Sequence, residues 1–148
     1  MISALFAFLH FVAVFGIFAV VVLQWQTMSP APSLAEAKRI QVSDRWFGIL
    51  ALVVLVAGFL RVYYFEKGKA FYGTNPFFQA KLALFLVVGL LTIYPTVRFL
   101  KWRAQTKQGL APVLAAHEYK AMALLRTEVV LLLATAGCAS PMARGVGS

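Results

Sequence analysis

The chain has 148 residues, 61% of them hydrophobic and 13% charged, whereas a soluble domain carries about 45–50% apolar and about 25% charged residues. Gathered into long uninterrupted runs, that excess excludes a water-soluble fold and a disordered chain; with Cys138 the one cysteine, it also excludes a disulfide-stapled secreted domain. The net charge of +9 comes from 14 Lys and Arg against 5 Asp and Glu. The cations crowd the ends of the apolar runs, which points to anionic lipid headgroups and topology control, not to nucleic acid.

Four runs are long enough to cross a bilayer core of about 30 Å, which takes about 20 helical residues. The first, 2–25, is interrupted only by His10. It exceeds the ~7–15-residue core of a signal peptide, so a retained transmembrane helix is expected. The second, 46–65, contains Arg61; the third, 77–97, contains Lys81 and ends near Pro95; the fourth, 121–139, begins with Arg126 and Glu128. Between the first two runs, Ser33-Leu34-Ala35-Glu36 fits a capping box and predicts a short surface helix over 34–40. Pro112 suits the first turn of a further helix running into the fourth span. Trp25, Trp46 and Trp102 fall at run ends and read as interface anchors, and Cys138 as a packing residue. The expected fold is one domain over 1–148: all-α, an integral membrane antiparallel four-helix bundle with short interfacial helices.

Orientation follows from the basic residues. Lys38, Arg39, Arg45, Arg98, Lys101, Arg103, Lys107, Lys120 and Arg126 share one side; the other holds Lys67, Lys69 and Arg144. Both termini are therefore expected away from the cytoplasm.

His10, Arg61 and Lys81 remain inside apolar runs, where Arg or Lys at a helix centre costs about 2.5–3.5 kcal/mol on insertion scales. His10 sits about 12 Å below the outer surface, and Arg61 and Lys81 about 6–8 Å. All three thus fall in the outer leaflet, on different helices, and are predicted to line one cavity. An imidazole above two cations suits a carboxylate-bearing ligand. Haem b would put its iron on His10 and its propionates on Arg61 and Lys81. The plainer alternative is that both cations snorkel to outer headgroups. Near the other surface, Asp44, Arg45 and Glu128 form an expected polar latch, with Glu128 paired to Arg45 or bonded to Gln24. His117 reads as interfacial. No hydrolase motif, phosphate loop or metal-spaced His/Cys cluster occurs.

The string Gly58-Phe59-Leu60-Arg61-Val62-Tyr63-Tyr64-Phe65-Glu66-Lys67-Gly68-Lys69-Ala70-Phe71-Tyr72 resembles the hallmark of an uncharacterised bacterial family of four-span membrane proteins. Asn75-Pro76, Lys81, Arg98-Phe99-Leu100-Lys101-Trp102-Arg103, His10, Asp44, Glu128 and Met142-Ala143-Arg144-Gly145 extend the resemblance over nearly the whole chain. Gln24 stands where that pattern has an acidic residue. More remotely, the layout resembles HemJ-type protoporphyrinogen oxidases, which implies haem b on a first-helix histidine matching His10. Functional basic residues in later helices match Arg61 and Lys81 only loosely.

Three readings compete. One is a b-haem redox protein of the protoporphyrinogen-oxidase type. Another is a non-enzymatic accessory or assembly subunit that docks a membrane-protein partner, or another copy of itself, through its aromatic and small-residue faces. The third, a small transporter, lacks the expected pair of broken helices. Membrane lipids are expected partners in each.

Overall fold

The computed structural model describes residues 2–65 and 75–143, the side chains of 65 and 138–143 excepted. The described residues form helices and no strand: α1 (Ile2–Thr27), α2 (Leu34–Leu60), a π-helical turn (Arg61–Phe65), α3 (Pro76–Lys107), α4 (Ala116–Ala121) and α5 (Leu124–Ala143). Lys67 and Lys69, the side chain of Cys138, and Arg144 lie outside this description.

Each boundary has a local cause. Ser33 opens α2 with the expected capping box: its hydroxyl accepts from the Glu36 N–H at 3.2 Å, and the Glu36 carboxylate accepts from the Ser33 N–H at 2.7 Å. Asn75 opens α3, its Oδ1 accepting from the N–H groups of Phe77 (3.0 Å) and Phe78 (3.2 Å), with Pro76 at the first helical position. Gly109, at φ +79°, ends α3. The Leu110 N–H donates to Gln105 O at 3.0 Å and the Gly109 N–H to Thr106 O at 3.3 Å, a Schellman arrangement that needs a left-handed residue.

Three expectations are corrected. The surface helix over 34–40 and the span from 46 are one continuous helix. No Gly or Pro separates Ile40 from Trp46, and the Ser43 hydroxyl turns back to Arg39 O at 2.8 Å without interrupting the ladder. Likewise α3 runs unbroken through Pro95 and the basic cluster for 32 residues, about 48 Å at 1.5 Å per residue. The segment after Pro112 does not run straight into the fourth span: Leu125 and Arg126 donate to Met122 O and Ala123 O three residues back, so the helix breaks there. Among the described residues, three helices are long and apolar enough to cross a membrane, namely α1, α2 with its π turn, and α3. The shorter α5 is not among them.

α1 packs on α2, α2 on α3, α3 on α5 and α5 on α1, closing a ring. The packing is most extensive within two pairs, α1 with α2 and α3 with α5. Neighbours run antiparallel: His10 and Gly16 of α1 meet Val54 and Leu50 of α2, and Gln41 and Asp44 of α2 meet Thr106 and Thr96 of α3. One core cluster joins Ala13, Ile17, Val21, Val54 and Val129; a second, at the basic end, joins Ala37, Ile40, Phe99, Trp102, Leu114, Met122 and Leu125. Trp102 is thus corrected from interface anchor to core, because α3 outlasts its apolar run and the following connection folds back over it. That connection is pinned where the Leu114 N–H donates to Pro30 O at 2.9 Å, and Arg98 forms an ion pair with Glu118 of α4. Trp25 and Trp46 are exposed. The outward faces carry Phe8, Phe15, Leu52, Leu86 and Leu90 in the open, an apolar exterior that lipid can cover.

Candidate functional site

His10, Arg61 and Lys81 line one cavity. Its walls come from three helices: His10 from α1; Val54, Leu55, Gly58, Phe59, Arg61 and Val62 from α2 and its π turn; and Phe78, Lys81, Leu82 and Phe85 from α3. Leu55, Phe59 and Leu82 are exposed, so its mouth is on the outer surface of the helix ring, at the lightly packed seam between α2 and α3.

The histidine is buried, and its Nδ1–H donates to the Val54 carbonyl at 3.1 Å. That carbonyl can only accept, so the bond places a proton on Nδ1 and fixes the ring. Gly58 makes room for it: a Cβ there would lie 3.3 Å from His10 Cε1. The neighbouring Phe11 ring meets the imidazole edge-on at 6.1 Å and carries the Arg61 guanidinium 5.5 Å above its centre. Arg61 is the first residue of the π turn, where an α-helix takes up an extra residue and its side chains are re-aimed, a local feature often found at sites. No pattern in the sequence announced this turn.

A haem needs a slot for the macrocycle as well as a ligand. The Nδ1–carbonyl bond is of the kind that orients iron-ligating histidines. The cavity, however, is about 100 Å³, against about 300–1,000 Å³ for pockets that enclose drug-sized ligands. These residues do not accommodate haem b as an enclosed group. The space suits a small head with an apolar body trailing out of the mouth.

The latch at the other end is not assembled as expected. Glu128 is fully buried beside Thr92, with Asp44 nearby, yet neither carboxylate oxygen has a hydrogen-bond partner among the described residues. The Thr92 hydroxyl donates instead to Val88 O at 2.7 Å. Asp44 accepts from the Thr96 hydroxyl at 2.7 Å, and Gln24 is buried, its amide nitrogen without a hydrogen-bond partner among the described residues. Arg45 is exposed and faces a different groove. Asp44 is adjacent to Ser43 and Arg45 in sequence, but 100° of helix per residue turns each to a different neighbour. His117 lies exposed on α4.

Among known families, the one described as "Predicted membrane protein (DUF2214)" matches residues 2–147. The chain belongs to this family. Membership makes it a membrane protein and agrees with the resemblance to a membrane-protein family read from the Gly58–Tyr72 string; the match itself says nothing of HemJ-type oxidases. No curated protein and no solved structure matches the chain.

Proposed function

We propose that this family member is a four-span membrane protein that holds the acidic head of an amphiphile in the His10–Arg61–Lys81 cavity. The observation that carries this reading is the convergence of three polar side chains, from three helices, on one otherwise apolar cavity with a lipid-facing mouth. Two cations in a site walled by Phe78, Leu82 and Phe85 attract a carboxylate or phosphate far more strongly than they would in water. His10, fixed through Nδ1, lines the same cavity, and the apolar walls take the body. The lipid bilayer is the natural store of such a ligand.

The test is extraction and negative-ion mass spectrometry of what co-purifies with the protein in neutral detergent, alongside an absorption spectrum. An acidic amphiphile is expected in stoichiometric amount, reduced about tenfold or more in Arg61→Gln/Lys81→Gln, since a charge-assisted contact contributes about 1.5–3 kcal/mol. Bulk lipid unchanged by the double variant would sink the reading, as would a stoichiometric protein partner with no ligand. A Soret band lost in His10→Ala would replace it with haem.

The same proposal puts α5 across the membrane as the fourth span, with both termini on the non-cytoplasmic side of a bacterial inner membrane. Support comes from the closed helix ring and from the lysines and arginines gathered at one end. Reporter fusions at the C-terminus should be active only when the reporter works outside the cytoplasm. A reporter active only inside would reverse the orientation or remove one span.

A further inference from the structure

At the basic end of the ring, far from the first cavity, α2 and α3 enclose a second groove of about 420 Å³. Lys38, Gln41 and Arg45 line it from α2, and Arg103, Thr106 and Lys107 from the last turns of α3. Positions three, four and seven apart share a helix face, so two basic stripes on antiparallel helices oppose each other. Four cations line this space, and none of its lining residues is acidic.

Simple complementarity to the α3 C-terminus accounts for Arg103 and Lys107, but not for Lys38 and Arg45 on the neighbouring helix, nor for Gln41. That side chain is more than nine-tenths buried and fixed at one end, its Oε1 accepting from the Thr106 hydroxyl at 3.2 Å. Its amide nitrogen lacks a hydrogen-bond partner among the described residues, in a side chain that lines the groove. Gln41 thus brings an unsatisfied amide to the wall of a groove lined by cations. Asp44, a carboxylate close enough to feel Arg103, accepts from the Thr96 hydroxyl.

We infer that this groove is a binding site for a phosphate-bearing polyanion. Phosphate oxygens accept from Gln41 Nε2 and from the two guanidinium groups, whose planar donor forks match phosphate geometry. Lys38 and Lys107 balance the remaining charge. The volume has room for two phosphoryl groups. A basic pocket between helices at a membrane surface is where acidic phospholipid heads bind, and a soluble diphosphate has the same chemistry.

The experiment uses the full chain in neutral detergent, with two probes. One is inorganic pyrophosphate, followed by calorimetric titration. The other is cardiolipin, delivered in phosphatidylcholine nanodiscs and followed by native mass spectrometry. Arg45→Gln/Arg103→Gln is expected to weaken binding of the responsive probe by about tenfold or more. Gln41→Leu keeps every charge and is expected to weaken it about fivefold. Lys101→Gln/Lys120→Gln removes the same charge from exposed sites outside the groove and is expected to change binding less than about twofold. A response to pyrophosphate that also displaces the lipid assigns a soluble source; lipid binding that pyrophosphate does not displace assigns a headgroup. Equal losses in the two charge-removing pairs, an unaffected Gln41→Leu in a folded protein, or no binding of either probe would overturn the site.

Discussion

Phe99→Ala is expected to lower the stability of the purified protein by about 3–5 kcal/mol, the range for truncating a fully buried aromatic residue. Phe99 is 1% exposed and lies in the middle of the basic-end core. Its ring stands 5.2 Å from that of Trp102, and Ala37 and Ile40 of α2, Leu114 of the connection, Met122, and Leu125 of α5 belong to the same cluster. The cavity left by alanine would therefore loosen four segments at once, and none can collapse into it without moving a helix. Phe99→Leu, which keeps most of the volume, should cost less than about 1.5 kcal/mol. Unfolding followed by tryptophan fluorescence in mixed detergent micelles measures both. A cost below about 1 kcal/mol for alanine would mean that the basic-end core does not hold the ring together.

Glu128→Leu is expected to raise stability by about 1–3 kcal/mol, the penalty of a buried polar group left without a partner. The side chain is 0% exposed and neither oxygen accepts a hydrogen bond within the described residues, while Thr92 spends its proton on a backbone carbonyl. Glu128→Lys places an ammonium in the same space and should destabilise by about 2.5–3.5 kcal/mol or more. Thermal unfolding of the three proteins in one detergent decides the matter. Destabilisation by leucine would show that the Glu128 carboxyl has a partner within the folded protein.

Much of this architecture was legible in the apolar runs. The depths of His10, Arg61 and Lys81 could be counted from the run ends, because a helix converts residue number into distance. What could not be read was continuity. The stretch from Gln41 to Arg45 looks like a connection because it is polar, yet polarity does not end a helix; Gly, Pro or a competing cap does, and none stands there. Once α2 is continuous, Lys38, Gln41 and Arg45 fall on one face, so the spacing of three and four was the signal that could have found the second groove. Trp102 was misplaced for a tertiary reason. The cover that buries it comes from residues after Gly109, which turn back only because that glycine adopts a positive φ.

The uneven packing of the ring bears on how the protein is made. α1 with α2 and α3 with α5 are the extensive contacts, and the two faces between those pairs are slight. On the proposed four-span topology, each pair is a hairpin of consecutive spans that can leave the insertion machinery as a finished unit, its short-range contacts already formed. The final step is then the meeting of two halves in the plane of the bilayer. The first cavity lies on that dividing line, drawing walls from both halves. A molecule seated there would act as a clasp, favouring the joined state by mass action, and a supply of it would set how much of the newly made chain matures.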